Sequence, residues 1–415
     1  MSTVNRILHR ETLPGQTERT DRLKQAMQFY AFSCLHRLDK PTQTKIERII
    51  RQATPLLPIS FPSGLKFYAP LNISNAQSTA ASANFSQMVN FTYTSDKAYI
   101  NLTGKHAFQN LEFFNTSSGT VIDSWLESNT STNVIYWIKL PNGIPSSTTL
   151  KDVAIGFASN TTNLFNNKTT GEAPQLSATY GQYDDGVNVF INYWNFAGTG
   201  VPSGWTTSGT VSIDNGVTIT PSTAVGTIET TSTTYGLSNY ILEFYGDLPS
   251  TTSDYQSAIG YISGTTAYDA QVAWTLLDYS VKAGSYSIET AYPQTIATNA
   301  GTRTATDSIT ASGTHLWQIY WPSTSDYTFS YDYGTIATLT VGPTATMSIG
   351  IIGEQGTASP PIGPIYYFRT RAYPPSGVMP SVTFGAVATV PTNIILYLNG
   401  VEDANATITY RTLVV

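Results

Sequence analysis

The side chains that could carry chemistry in this chain are few and widely spaced. Its four histidines lie far apart in the sequence, and it has one cysteine, Cys34. The sequence therefore predicts neither a His/Cys metal cluster nor a disulfide framework. It contains no G-x-S-x-G nucleophile elbow, no G-x-G-x-x-G turn after a strand and no P-loop. The histidines are His9, His36, His106 and His315.

Acidic and aromatic residues offer two candidate binding sites. Asp326 and Asp332 carry the oxygen ligands that calcium prefers, so they are candidate calcium ligands, with solvated loop acids as the simpler alternative. No other cofactor is expected. The aromatic residues nearby could stack on a sugar, or they could belong to a core. The candidate glycan-binding residues are Trp321, Tyr327, Tyr331 and Tyr333.

Asn-x-Ser/Thr sequons are concentrated between residues 65 and 195. If the chain is exported, their asparagines are candidate glycan acceptors on exposed turns. A sequence rich in Ser, Thr and Asn also produces sequons by chance, and that alternative stays open. The candidate acceptors are Asn72, Asn84, Asn90, Asn101, Asn115, Asn129, Asn160 and Asn167.

The elements that must position these residues are β-strands. Between residues 110 and 158, three runs alternate apolar and polar residues around Gly- and Asn-containing turns, which is typical of an antiparallel sheet. From residue 207 to 385, short strands recur roughly every ten residues, as in a sandwich or jelly roll. The predicted fold class is all-β, with two tandem β-sandwich or jelly-roll modules and a short α-helical N-terminal hairpin. Trp137 and Trp317 are predicted to lie in the two module cores.

The first sixty residues differ from the rest in pattern and in charge. Apolar residues at three- and four-residue steps predict a helical hairpin there. This part carries ten basic and five acidic residues, whereas the rest carries 11 basic and 22 acidic residues. The predicted domains are a basic helical hairpin (1–56), a linker (57–64), a β-sandwich module of unassigned function (65–195), a concanavalin/laminin-G-like jelly roll (196–390) and a C-terminal β-hairpin, a candidate start of an immunoglobulin-like repeat (391–415).

The first β module resembles a known module. Its run Asn110-Leu-Glu-Phe-Phe-Asn-Thr-Ser-Ser-Gly-Thr-Val-Ile-Asp-Ser-Trp-Leu-Glu127 is followed by Val134-Ile-Tyr-Trp-Ile-Lys-Leu-Pro141. This order is similar to a β-sandwich module of unassigned function that occurs in large archaeal and bacterial surface proteins. Phe157-Ala-Ser-Asn160 replaces the "Y-Y-G-N" element that closes the pattern, a mild departure.

The second module resembles the laminin-G/concanavalin-like lectin fold. The resemblance rests on His315-Leu-Trp-Gln-Ile-Tyr-Trp321 and on Tyr331-Asp-Tyr-Gly334, which occupies the place of an "F-Y-V-D-G" hairpin. That fold also hosts retaining glucanases, which carry a Glu-x-Asp-x-x-Glu strand with paired carboxylates. The nearest stretch here, Glu243-Phe-Tyr-Gly-Asp247, has a different spacing. The chain is therefore predicted not to be an enzyme.

These observations predict a surface protein for display or adhesion, with carbohydrate or another surface protein as its partner. The alternative is a virion structural protein, a capsid or turret component, whose basic N-terminal arm faces genome or inner membrane. Nucleic acid is a partner only in that alternative, and a glycoside hydrolase is the third hypothesis. We expect an extracellular or cell-surface location, or the virion, although no signal peptide or transmembrane segment is visible. Incompletely buried elements at both termini predict self-assembly through the chain ends.

Overall fold

The structure is a computed structural model that describes most of the chain after residue 58. The described ranges are 59–92, 108–130, 133–220, 225–232, 239–248, 256–263, 270–277, 294–299, 302–306, 313–322, 326–340, 347–353, 361–391, 394–398 and 401–408. They belong to one compact unit that begins at Ile59. The predicted helical hairpin at 1–56 lies outside the described residues. Among the helices of the described ranges, none has the length and apolarity that a membrane span requires.

Strands dominate the described part of the chain, so the predicted all-β fold class is confirmed. The first strands are β1 (Phe67–Asn75), β2 (Phe85–Thr92), β3 (Leu111–Asn115), β4 (Val121–Ile122), β5 (Ser124–Asn129), β6 (Asn133–Leu140), β7 (Thr148–Phe157) and β8 (Thr170–Glu172). A short helix, α1 (Gly186–Val189), comes next. It precedes β9 (Asn192–Trp194), β10 (Trp205–Ser208), β11 (Val211–Ile213), β12 (Val217–Ile219), β13 (Gly226–Thr230), β14 (Tyr240–Leu248), β15 (Gln256–Ile262) and β16 (Ala270–Leu277).

The remaining strands complete the second half of the unit. They are β17 (Gln294–Asn299), β18 (Thr302–Thr306), β19 (Gly313–Trp321), β20 (Asp326–Tyr331), β21 (Gly334–Thr340), β22 (Ser348–Gly353) and β23 (Ile362–Ala372). A 3-10 turn (Pro375–Gly377) leads to β24 (Ser381–Phe384), β25 (Ala388–Thr389), β26 (Ile394–Leu398) and β27 (Val401–Ile408). The last two strands pair with each other as a separate antiparallel hairpin.

Four larger sheets form two sandwiches that lie against each other. In the first sandwich, sheet 1 has the order β24-β1-β7-β3-β4, with β25 also paired to β1, and sheet 2 has the order β2-β6-β5-β8. In the second sandwich, sheet 3 has the order β11-β12-β23-β14-β19-β20-β21, with β9 on β23, and sheet 4 has the order β10-β13-β22-β15-β16-β17-β18. Sheets 2 and 3 face each other, so the unit has four β layers.

The side-chain alternation of β6 explains why sheet 2 is buried on both faces. Val134, Tyr136 and Ile138 point into the core of the first sandwich. Ile135 and Trp137 point to the opposite side and pack against the second sandwich. A strand that buries both faces is apolar at consecutive positions rather than at every second one. The run from Val134 to Ile138 has this consecutive pattern.

We call the layer between sheets 2 and 3 the seam. It joins residues of both sandwiches with α1 and is fully or almost fully buried. Its buried apolar members are Trp125, Ile135, Trp137, Ala173, Val189, Phe190, Leu316 and Tyr367. The prediction that Trp137 lies in the core of the first module is therefore wrong. Trp137 lies in the seam because its parity on β6 is opposite to that of Tyr136.

Strand pairing also crosses the predicted module boundary. β9 precedes residue 196, yet it pairs with β23 of the second sandwich. β24 and β25 precede residue 390, yet they pair with β1 of the first sandwich. Each sandwich therefore contains strands from the other side of the predicted boundary at 195/196.

The core of the second sandwich contains Trp317, as the sequence predicts. The side chain is fully buried, and its Nε1 donates a hydrogen bond to the Gly246 carbonyl oxygen at 3.0 Å. Truncation to alanine should cost about 3–5 kcal/mol of unfolding free energy, since it leaves a large cavity and an unpaired carbonyl.

Chemical denaturation of Trp317→Ala measures this cost directly. Val187→Ala is the control, because Val187 is 66% exposed and its truncation should change the unfolding free energy little. A loss below about 1 kcal/mol in Trp317→Ala would mean that Trp317 does not support the core.

Candidate functional site

Arg369 of β23 occupies the centre of the seam and is fully buried. Its Nε donates a hydrogen bond to Glu243 of β14, in the same sandwich, at 2.5 Å. Its Nη2 donates a hydrogen bond to Glu127 of β5, in the other sandwich, also at 2.5 Å. One guanidinium therefore bridges two buried carboxylates that belong to different sandwiches.

Glu243 is enclosed by donors from its own sheet. Gln318 Nε2 donates to its Oε1 at 2.5 Å, and Arg371 Nη2 donates to the same oxygen at 2.9 Å. Burial by itself would raise the pKa of Glu243, but the charges and hydrogen bonds of Arg369 and Arg371 outweigh burial and lower the pKa to about 2. Glu243 is therefore held as a carboxylate throughout the neutral and mildly acidic range.

Glu127 receives donors from both sandwiches. Trp137 Nε1 of the first sandwich donates to it at 2.7 Å, and the Tyr333 hydroxyl of the second sandwich donates to it at 2.6 Å. Tyr333 lies in the two-residue turn between β20 and β21, where both central residues have positive φ. A φ of 67° is uncommon for an aromatic residue, and the bond to Glu127 offsets this local strain.

Aromatic rings surround the guanidinium of Arg369. Its Cζ lies between 4.6 and 5.7 Å from four ring centroids, within the range of cation–π attraction. The buried Nη1 has no hydrogen-bond partner among the described residues. The electron-rich ring faces supply electrostatic attraction at this position instead. The four rings are those of Trp125, Trp137, Phe190 and Tyr367.

A second polar cluster fixes the loop that enters the seam. Asp184 accepts hydrogen bonds from Trp125 Nε1 at 2.8 Å, from the Tyr193 hydroxyl at 2.7 Å and from Asn195 Nδ2 at 2.7 Å. Burial raises the pKa of Asp184 above its ordinary value, and these hydrogen bonds reduce the size of that rise. Asp184 thereby anchors both ends of the segment that carries α1 and β9.

The seam carboxylates do not have the properties of a glycosidase pair. Such a pair needs one carboxyl group with a raised pKa that can donate a proton. The pKa of Glu243 is lowered instead of raised. Arg369 also contacts both Glu243 and Glu127, and its positive charge favours the ionised form of a carboxyl group. The network therefore acts as a joint between the sandwiches. Sequence reasoning missed it, since charged residues at every second strand position ordinarily face solvent.

The predicted glycan-binding residues do not form one surface. Trp321 and Tyr327 lie in the core of the second sandwich with their ring centroids 5.1 Å apart, so neither offers a face to a sugar. Tyr333 is bound to Glu127. Tyr331 is half-buried and packs against His315 at 5.2 Å between ring centroids. Sugar binding through Tyr331 or Tyr333 stays a prediction.

Of the two predicted calcium ligands, the structure describes the side chain of Asp332 alone, and calcium binding stays a prediction. Asp332 is exposed and binds His315 Nδ1 at 2.6 Å and the Leu316 amide at 3.0 Å. Asp326 begins β20, but its side chain lies outside the described residues. Within the described ranges, no group of three or more His, Cys, Asp or Glu residues could hold a metal ion.

Most of the sequon asparagines lie at the surface of the first sandwich. Asn72 and Asn115 are half-buried, and Asn101 lies outside the described residues. Use of any of them as a glycan acceptor stays a prediction. The exposed ones are Asn84, Asn90, Asn129, Asn160 and Asn167.

Comparison with known proteins gives one sequence relative and a group of similar folds. No protein-family model matches the chain. The chain is 37% identical over 89 residues to "Uncharacterized protein 562" of Sulfolobus islandicus rod-shaped virus 1. This match includes 21% of the chain and spans only 15% of the relative's length.

The similar solved structures are glucanases and lectin domains. A β-1,3-glucanase from Mycobacterium marinum matches over 44% of this chain and 98% of its own, with 13% identity and a TM-score of 0.33. The exoplasmic domain of VIP36 matches over 42% of this chain and 84% of its own, with 12% identity and a TM-score of 0.31. The Emp47p carbohydrate recognition domain matches over 41% of this chain and 89% of its own, with 8% identity and a TM-score of 0.30.

These neighbours are consistent with the concanavalin-like fold expected for the second module, and at such identities they bear on the fold alone. The names of these similar structures contradict the prediction that the chain is not an enzyme. Several of the similar structures bear the names of glucanases or glycosyl hydrolases.

The depressed pKa of Glu243 gives the seam a defined pH dependence. Because its folded-state pKa lies near 2 and its ordinary value is 4.5, the carboxylate contributes stability that is complete above pH 4.5 and is lost as pH falls toward 2. Glu243→Gln should lower the unfolding free energy at pH 7 by about 3–5 kcal/mol, because Arg369 and Arg371 lose a buried counter-charge.

The difference in stability between wild type and Glu243→Gln should therefore shrink between pH 4.5 and 2, as measured by denaturant titration at several pH values. Glu229→Gln is the control, since Glu229 is a half-exposed glutamate of the same sandwich. A difference that stays constant across this pH range would show that Glu243 is not held by the two arginines.

Arg369 should also decide whether the two sandwiches unfold together. Arg369→Ala removes the bond to Glu127, and we expect calorimetry to show two heat transitions in place of one. Arg371→Ala is a matched control, because Arg371 lies on the same strand and contacts Glu243 of its own sandwich. That control should be destabilised but keep a single transition. A single transition in both variants would contradict the role of Arg369 as the joint.

Proposed function

We propose that the protein is a structural component of the surface of a virus particle, where it presents two β-sandwiches in a fixed arrangement. The observation that carries this proposal is the seam, in which Arg369 of one sandwich is neutralised in part by Glu127 of the other. A component of a regular particle must hold its parts in one geometry. The bridge from Arg369 to Glu127 and Glu243 holds the two sandwiches in one relative position.

The chemistry of the seam favours a role in geometry over a role in added stability. A buried ion network often stabilises a fold no more than apolar packing would, because both charges lose their hydration. It does penalise wrong arrangements strongly, since any shift of the two sandwiches leaves a buried charge without its partner. Tyr333 and Trp137 add directional hydrogen bonds to the same carboxylate.

The viral relative supports a particle rather than a cell envelope as the location. The identity of 37% over 89 residues links part of this chain to a protein encoded by a rod-shaped virus. With its one cysteine, the chain would rely on buried contacts such as the seam, and not on internal disulfides, for its integrity outside the cell.

Fractionation of the culture from which the sequence comes tests this proposal. Particles and cell envelopes are separated on a density gradient, and peptides from residues 59–391 are quantified by mass spectrometry in each fraction. We expect them in the particle band, in a constant ratio to the major coat protein across the band. The major coat protein and an integral envelope protein serve as markers. Recovery of the peptides with the envelope marker would overturn the proposal.

A further inference from the structure

Two adjacent acidic residues precede α1, and their surroundings differ. Asp184 accepts hydrogen bonds from three side chains described above and from the Gly186 amide, which lies 3.0 Å away. Asp185 is fully buried, and its Oδ1 accepts a hydrogen bond from Asn188 Nδ2 at 2.6 Å. Its Oδ2 is buried and has no hydrogen-bond partner among the described residues. Asn188 Nδ2 also donates to the Lys168 carbonyl oxygen at 3.0 Å, so this pair ties α1 to the turn before β8.

The surroundings of Asp185 favour its protonated form. A buried carboxylate with a single donor loses its hydration and gains little in return, whereas the neutral acid carries no charge to desolvate. Burial is the main cause that raises the pKa of Asp185 from 3.8 to about 7, and the charges of Asp123 and Asp184 add to the rise. The Asn188 hydrogen bond and the Lys139 charge lower this pKa, but they do not outweigh burial.

The elements packed around Asp185 supply no bonded cation. A Cβ at Gly171 would come within 2.7 Å of the Asp185 Cβ, so the aspartate side chain lies directly over this glycine of β8. None of the ion pairs between described residues includes Asp185. α1 itself carries no charged residue. The titratable residues of the neighbouring elements are Asp123 before β5, Glu127 on β5, Lys139 on β6, Lys168 before β8, Glu172 on β8, Asp184 before α1 and Tyr193 on β9.

The segment that Asp185 fixes is part of the seam. Phe190 follows α1, and its ring centroid lies 5.2 Å from that of Trp125 and 5.9 Å from that of Trp137. The same ring lies 4.6 Å from the Arg369 Cζ. Undocking of α1 would therefore remove one ring from the aromatic surroundings of the buried guanidinium.

We propose that Asp185 is a proton-controlled latch, which keeps α1 and Phe190 docked in the seam while its carboxyl group holds a proton. Loss of that proton to solvent places a buried charge next to the Asp184 carboxylate, and undocking of α1 returns the charge to water. Acid therefore tightens the latch, and a rise in pH loosens this part of the seam. The latch goes beyond the proposed particle function and does not depend on it.

The direction of the pH effect follows from the difference between the docked and the undocked state. The pKa of Asp185 is about 7 when α1 is docked and returns to 3.8 when the side chain is solvated. Undocking is therefore least favourable below about pH 4, because both states then hold the proton. It becomes about tenfold more favourable with each pH unit between about 4 and 7, and it is constant above that range.

Amide hydrogen exchange of the full chain tests the latch. Mass spectrometry follows exchange in a peptide spanning residues 186–191 at several pH values, and each rate is divided by the intrinsic exchange rate at that pH. We expect protection of this peptide in the wild type to fall by about tenfold or more between about pH 4.5 and 7. Asp185→Asn has the shape of the protonated form without the charge, so it should keep the low-pH protection at every pH.

Asp214→Asn is the matched control, because Asp214 is an exposed aspartate that also accepts a hydrogen bond from a nearby asparagine, Asn215 Nδ2, at 3.4 Å. This variant should behave like the wild type. A peptide spanning residues 313–321, from β19, should stay protected throughout, which shows that the change is local. Nuclear magnetic resonance titration of the Asp185 carboxyl carbon in the wild type keeps the test decisive if Asp185→Asn does not fold.

A carboxyl titration midpoint near 7 would support the latch, and a midpoint near 4 would overturn it. Three results of the exchange experiment would also overturn it. They are wild-type protection that does not change with pH, the same pH dependence in folded Asp185→Asn, and a parallel loss of protection in the peptide from β19.

Discussion

The buried guanidinium of Arg369 is the constraint on which the arrangement of the two sandwiches depends. Moving such a charge out of water costs several kcal/mol, and good counter-charges and hydrogen bonds must offset that cost. Glu243 supplies one counter-charge from the same sheet, and Glu127 supplies the other from the opposite sandwich. Neither sandwich alone contains the full set of partners, so the favourable state of Arg369 exists only when the two lie together.

This dependence explains the layered architecture. Sheets 2 and 3 are buried on both faces. On β6 of sheet 2, Tyr136 therefore lies in the core of the first sandwich and Trp137 lies in the seam. The strands exchanged at the borders, β9 and β24, connect the two halves through backbone hydrogen bonds as well.

The proposed function depends on the ion network of the seam. A joint that holds the sandwiches in one geometry suits the proposed component of an assembled particle, and the match to a viral protein is the sequence similarity behind that proposal.

The sequence by itself determined the all-β class and the core position of Trp317, because these depend on local alternation. The hairpin whose turn is formed by Asp332 and Tyr333 was implied by the resemblance to the lectin fold. The sequence did not determine the partners of Glu243, Arg369 and Arg371. Charged residues at every second position look solvent-exposed in any isolated sheet, and only the packing of sheet 2 on sheet 3 buries them together.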